Sequence, residues 1–139
     1  MIRLEHINLV VKNLDQAVAF YQAAFPHWRV RQKGKSDWYG KDRQWLHFGD
    51  DTQYLTFNDS GEGDNRNLKG HQLGVAHFAF EISNIASLKQ RMKTAGYEIA
   101  NPGAGNEYRD NVYYIDCDGF EVEFVEYKSD IPDLRNNEV

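Results

Sequence analysis

The feature that most restricts the fold of this chain is a pattern written twice. His77 follows His6 by 71 residues (77 − 6), and Asn84 follows Asn13 by the same 71 (84 − 13). Each histidine sits in an alternating segment, and each asparagine opens a helical one. In residues 2–11, Ile7, Leu9 and Val11 alternate with His6 and Asn8, the mark of a strand with one face on a core. Asn13 is placed to cap a helix, with Gln16 three residues on in capping-box position. Leu14, Ala17, Val18, Tyr21 and Phe25 then follow helical apolar spacing until Pro26 stops it. Strands are expected at 28–35, 43–48 and 52–58, the last two joined by Gly49-Asp50-Asp51. The second copy reads alike. Residues 75–82 set Phe78, Phe80 and Ile82 against His77 and Glu81. Asn84 leads a helix through Ile85, Leu88 and Met92 that closes at Ala95-Gly96, and strands are expected at 97–100, 111–116 and 120–127. Two copies indicate a duplicated unit and not a solenoid, which needs three or more. The expected architecture is α+β: two tandem βαβββ modules forming a cupped mixed sheet with helices on the outer face. At 139 residues the chain is one domain, with module one at 1–58, a linker at 59–72, module two at 73–127 and a tail at 128–139.

Composition removes several function classes. Apolar residues make up 41% and charged residues 27%, a globular balance. No apolar run approaches the ~18 residues of a membrane span, and the N-terminus reads as a first strand, not a signal peptide. Cys117 is the only cysteine, so no internal disulfide forms and a cytoplasmic setting is expected. A net charge of −5 without a basic cluster argues against nucleic acid. Aromatic residues reach 14%, enough to fill a core or to line a pocket for a flat ligand.

Four polar-face positions carry the chemistry. In 120–127, Val122 and Phe124 belong to the core face, so Glu121 and Glu123 point away from it; in 52–58, Leu55 and Phe57 leave Tyr54 pointing away. His6 and His77 point the same way in the first strands. If the two sheets face each other, His6, Tyr54, His77 and Glu123 converge. Two imidazoles and one carboxylate suit Fe(II), Mn, Zn, Ni or Co and leave positions open for a ligand. The bland alternative is a polar pocket in which Glu123 serves only as a hydrogen-bond partner.

These residues resemble the vicinal-oxygen-chelate superfamily, which includes glyoxalase I, fosfomycin and bleomycin resistance proteins and extradiol dioxygenases. Asp116-Cys117-Asp118-Gly119-Phe120-Glu121-Val122-Glu123 is similar to the family's D-P-D-G-x-x-x-E, with cysteine for proline. The resemblance spans residues 3–127 and implies that His6, His77 and Glu123 hold one divalent metal per chain, Fe(II) or Mn favoured, with Zn, Ni or Co compatible. It also implies a homodimer acting on a small molecule. Departures narrow the choice. Glyoxalase I carries a second Glu in a run like I-E-L-T-Y-N, where this chain has Gln53-Tyr54-Leu55-Thr56-Phe57-Asn58. The loop that binds phosphonate in fosfomycin resistance enzymes is here Asn101 to Glu107, without Lys, Ser or Thr, and only Arg109 follows. The extradiol motif, aliphatic-Y-x-x-D-P-x-G-x-x-x-E, is matched from Val112 to Glu123 except at Cys117, although its upstream His is missing. His47 is the nearest candidate for that family's acid–base histidine. Tyr113 faces the metal if the Cys117-Asp118-Gly119 turn has three residues; a two-residue turn presents Tyr114 instead.

The expectation is a metal-dependent enzyme acting on a substrate with vicinal oxygens, an extradiol-type dioxygenase first and a glyoxalase I-like lyase or isomerase second. His47, Tyr54 and Tyr113 are its candidate catalytic residues. The competing expectation is a non-catalytic binding protein of the antibiotic-resistance type.

Overall fold

Asn13 begins the first helix as its spacing predicts. Its backbone is extended, and its Oδ1 accepts the Gln16 N–H at 2.9 Å. The computed structural model describes residues 1–136 and divides into two compact units, Met1–Asp64 and a second that begins at Asn65.

The first unit runs β1 (His6–Val10), α1 (Leu14–Ala24), β2 (Arg29–Trp38), β3 (Lys41–Gly49) and β4 (Tyr54–Asn58). Its sheet has the order β1-β4-β3-β2, with β1 parallel to β4 and the other pairs antiparallel. One face is covered by α1: Ala17, Phe20, Tyr21 and Ala24 are buried with Leu46, Phe48, Leu55 and Phe57. At ~25 cal/mol per Å² of apolar surface, this burial is what holds helix to sheet. Between β3 and β4 the chain turns so tightly that a side chain at Gly49 would meet the Gln53 carbonyl at 2.1 Å. Asp50 Oδ1 locks that turn by accepting the Thr52 and Gln53 amides, and Tyr54 is thereby set at the head of β4.

The second unit runs β5 (Phe78–Glu81), α2 (Ile85–Thr94), β6 (Arg109–Ile115), β7 (Glu121–Tyr127) and α3 (Pro132–Arg135). Its three-stranded sheet has the order β5-β7-β6, with β5 parallel to β7 and β6 antiparallel to it. Ile85, Leu88 and Met92 of α2 are buried with Val112, Tyr114, Val122 and Phe124. Asn84 caps α2 through its Oδ1 and takes a left-handed backbone, φ 59°, a conformation Asn tolerates better than most residues.

The α+β duplication is as the repeat predicts, each helix lying against one face of its own sheet. Three details differ. The strand expected at 97–100 does not form; one isolated bridge, Asn101 to Tyr113, stands in its place. Pro102 lacks a donor and Gly103 turns the chain at φ +77°, so a ladder cannot extend there. The strands expected at 2–11 and 75–82 are shorter, because their parallel partners offer a register only from His6 and from Phe78. Residues 59–72, expected as a linker, are divided between the units and include a turn closed by the Gly70 amide on the Asn67 carbonyl. Within the expected tail, 137–139 lie outside the described residues; α3 precedes them, with Arg135 paired to Glu81 and seated 4.1 Å from the Tyr127 ring centroid.

The β6–β7 connection is held by one carboxylate. Buried Asp116 accepts the Asp118 and Phe120 amides through Oδ1, each at 2.9 Å, around Gly119 at φ +86°. Asp116→Ala leaves both amides without that acceptor and costs about 1–3 kcal/mol. Urea unfolding of the two proteins checks this; an unchanged midpoint would contradict it.

Candidate functional site

In the second unit the central strand β7 carries the chemistry. Tyr113 lies opposite Glu123 and Ala79 pairs with it from the other side, so one face presents Arg109, Asn111 and Tyr113 from β6, Glu121 and Glu123 from β7, and Ala79 from β5. His77, just before β5, continues the alternation onto this face. Its Nε2 stands 4.0 Å from Glu123 Oε1, and its Nδ1 stands 3.7 Å from Glu121 Oε1. Asn111 Nδ2 donates to Glu123 Oε2 at 3.0 Å. The Tyr113 ring meets His77 edge-on at 5.4 Å. Burial first, and its hydrogen bond to Glu123 next, push the Tyr113 phenol up to about 12, so it remains a proton donor at neutral pH. Arg109 Nε and Asn111 Oδ1 are buried here without a partner.

In the first unit three rings stand side by side on the open face of the sheet. His6 stacks on Tyr54 at 4.8 Å and 9°, and His47 stacks on Tyr54 at 4.6 Å and 30°. These spacings equal the separation of neighbouring strands, so the rings rise from β1, β4 and β3 like books on a shelf. Arg31 lies over the Tyr54 ring at 4.5 Å. Glu5 Oε1 joins the set, 2.9 Å from His6 Nδ1 and accepting the Tyr54 hydroxyl at 3.1 Å. Those hydrogen bonds, His6 first and Tyr54 second, hold the Glu5 carboxyl below its ordinary range. A carboxylate on Nδ1 fixes the tautomer with the proton there and leaves Nε2 as the free lone pair.

Two donors about 2.0–2.2 Å from one ion can stand up to ~4.2 Å apart. The His77 and Glu123 donors, 4.0 Å apart, lie inside that limit but wider than the ~3 Å between adjacent octahedral positions, so in this arrangement they are neighbours and not yet a closed pair of ligands. Their side chains keep 39% and 17% exposure, so a ligand can reach both. Among the described residues, no three His, Cys, Asp or Glu side chains group closely enough to hold an ion.

The family model of the Glyoxalase/Bleomycin resistance protein/Dioxygenase superfamily matches residues 3–124, and the chain belongs to that superfamily. No curated protein matches it significantly. Among solved structures it is similar to a glyoxalase family protein from Enterococcus faecalis, with 19% identity, 89% of this chain and 97% of that chain covered, and a TM-score of 0.72. It is also similar to a glyoxylase/bleomycin resistance protein/dioxygenase domain from Frankia sp. EAN1pec, with 18% identity, coverage of 92% and 99%, and a TM-score of 0.73. A third is the fosfomycin resistance protein FosX from Listeria monocytogenes in complex with Mn(II) and sulfate, with 24% identity, coverage of 91% and 93%, and a TM-score of 0.62. At these identities the likeness is one of fold.

Of the residues singled out by sequence, His77, Glu123 and Tyr113 share one face of the second unit, and His6, His47 and Tyr54 share one face of the first. The turn 117–119 has three residues, closed by the Asp116 amide on the Phe120 carbonyl, so Tyr113 faces Glu123 and Tyr114 is buried in the core. Sequence reasoning passed over Glu5, Arg31 and Asn111. Glu5 directly precedes His6, and Asn111 shares the alternation of Tyr113; both signals were legible. The contact of Arg31 with Tyr54 was not, because a bulge between Val30 and Gln32 breaks the alternation of β2.

His47 supplies a pH test. Burial first, then the Arg31 charge, lowers its pKa from the ordinary 6.5. The unfolded chain thus binds a proton here more readily than the folded one, and the His47 contribution to stability is lost as pH falls below about 6.5. His47→Phe is expected to lessen the loss of urea resistance between pH ~7 and ~5. Parallel losses in the two proteins would contradict this.

Proposed function

We propose that the chain is a divalent-metal-dependent enzyme that holds its metal through His6, His77 and Glu123 and acts on a small molecule with two vicinal oxygens. The carrying observation is the division of labour around His77 and Glu123. Nε2 and Oε1 face each other, while Nδ1 is turned to Glu121 and Oε2 is held by Asn111. Outer partners of this kind orient metal ligands and set their basicity. When bound, the metal supplies Lewis acidity or carries dioxygen.

The preferred reaction is ring cleavage of an extradiol type, with Fe(II) or Mn. Tyr113 stands where the extradiol motif has its tyrosine, and its phenol would exchange the hydrogen bond it gives Glu123 for one to a substrate oxygen. Tyr54 supports the same reading against a glyoxalase I-like lyase. A phenol whose hydroxyl is given to Glu5 adds no fourth ligand, and about three positions stay open in an octahedral site. One observation favours a second substrate class: the buried, unpartnered Arg109 Nε suits an anionic substrate such as a phosphonate. The protein is proposed to act as a homodimer in the cytoplasm; no helix among the described residues is long and apolar enough to cross a membrane.

The test is a panel on the Fe(II), Mn, Ni and Zn forms with three substrates: catechols plus oxygen, the glutathione–methylglyoxal hemithioacetal, and fosfomycin with water or thiol. Oxygen consumption with a catechol by the Fe(II) or Mn form is expected, and Tyr113→Phe should slow it by ~10²-fold. Turnover of the hemithioacetal by the Ni form, without catechol turnover, would favour the lyase. Turnover of fosfomycin alone would favour the phosphonate reading.

A further inference from the structure

The bulge in β2 aims one cation at the open face of the first unit. Val30 pairs with Phe48 and Gln32 with His47, so β2 spends two residues where β3 spends one. Gln32 thereby shares a face with His47, and Arg31 is the added residue. Its guanidinium is carried over the Tyr54 ring, 4.5 Å from the centroid. Bulges commonly re-aim a side chain in this way beside a functional site.

Arg31 arrives there with its hydrogen bonds unspent. Arg29, two residues earlier, is paired to Asp51 at 2.6 Å. Arg31 has no ion pair and no hydrogen bond among the described residues. Glu5, on the same side of the sheet, spends Oε1 on His6 and on the Tyr54 hydroxyl. A guanidinium over a ring uses its face, while its planar fork of N–H donors remains free for a carboxylate.

A flat apolar surface lies next to this cation. Trp45 stands two residues from His47 on the same face of β3, their ring centroids 5.1 Å apart at 40°. Opposite Trp45, β2 has Gly34, where any side chain would meet the indole at 2.7 Å. The indole therefore lies across β2 in the space that another residue would fill. Two residues of strand, roughly 7 Å, separate its position from that of His47 and Gln32. The face thus offers a cation at one end and an indole at the other.

We propose that the open face of the first unit binds a flat aromatic carboxylate, its carboxylate held by the Arg31 fork and its ring laid against Trp45. This deepens the reading above by naming the substrate class; it rests on the small-molecule part of that reading and needs no bound metal. The ring contact binds an acid and a neutral ring of the same shape alike. Charge complementarity at Arg31 then selects the acid.

The test is calorimetry on the full, chelator-treated chain with two probes that share one ring, 3,4-dihydroxybenzoate and catechol. The acid is expected to bind about tenfold more tightly than catechol. Arg31→Gln keeps a planar polar head without the charge; it should bring the acid down to the level of catechol and leave catechol unchanged. Arg31→Lys keeps the charge but loses the fork, and its preference should fall between the two. Trp45→Leu should weaken both probes alike and preserve their ratio; should that variant not fold, Arg31→Gln, at an exposed residue, carries the test. Equal affinity of the two probes for the unaltered chain, or a preference for the acid that survives Arg31→Gln, would overturn the proposal. Binding of neither probe would overturn it as well, and would leave the metal-dependent reading to be decided separately by metal content.

Discussion

The parallel ladder between the first and last strand of each unit is the constraint on which the site depends. In the first unit it sets His6 beside Tyr54, and in the second it sets Ala79 beside Glu123 and brings His77 to Glu121 and Glu123. Each last strand is central in its sheet, flanked by a first strand on one side and an antiparallel neighbour on the other. A residue on its open face is therefore met from both sides. A slip of one residue would turn every one of these side chains into the core and bring apolar ones out, so the same burial that fixes the register also fixes the chemistry.

Around that frame the units use one device in two forms. Each histidine has Nδ1 turned to a glutamate, Glu5 at 2.9 Å for His6 and Glu121 at 3.7 Å for His77. Only the first is a hydrogen bond in this state. Glu123 has its own restraint in Asn111 and Tyr113, both on β6. His6 and Glu123 are thus oriented by neighbouring side chains, and His77 faces one, an orientation that a metal site would need beyond its ligands.

Much of this was legible in the sequence because both periods in play are strict. The 71-residue offset and the alternation of apolar residues located the two histidines, Tyr54 and Glu123 on open faces, and the Asn13 and Asn84 caps marked both helices. The strand expected at 97–100 failed because four residues next to Pro102 and Gly103 carry too little pattern to outweigh a backbone that turns away. The choice between Tyr113 and Tyr114 hung on one residue of turn length, set by the hold of Asp116 on the Asp118 and Phe120 amides. Asn111 could be placed on the right face by counting, but its grip on Glu123 depends on where Gly103 returns to the sheet, which no local pattern encodes.

The central proposal is that His77 and Glu123 are donors to one ion together with His6. Metal content of the chain, purified without chelators and set beside the single variants His6→Ala, His77→Ala and Glu123→Ala, tests it most directly. The account predicts about one divalent metal per unaltered chain and most of it lost in each variant. Full occupancy retained by His77→Ala or Glu123→Ala would contradict it.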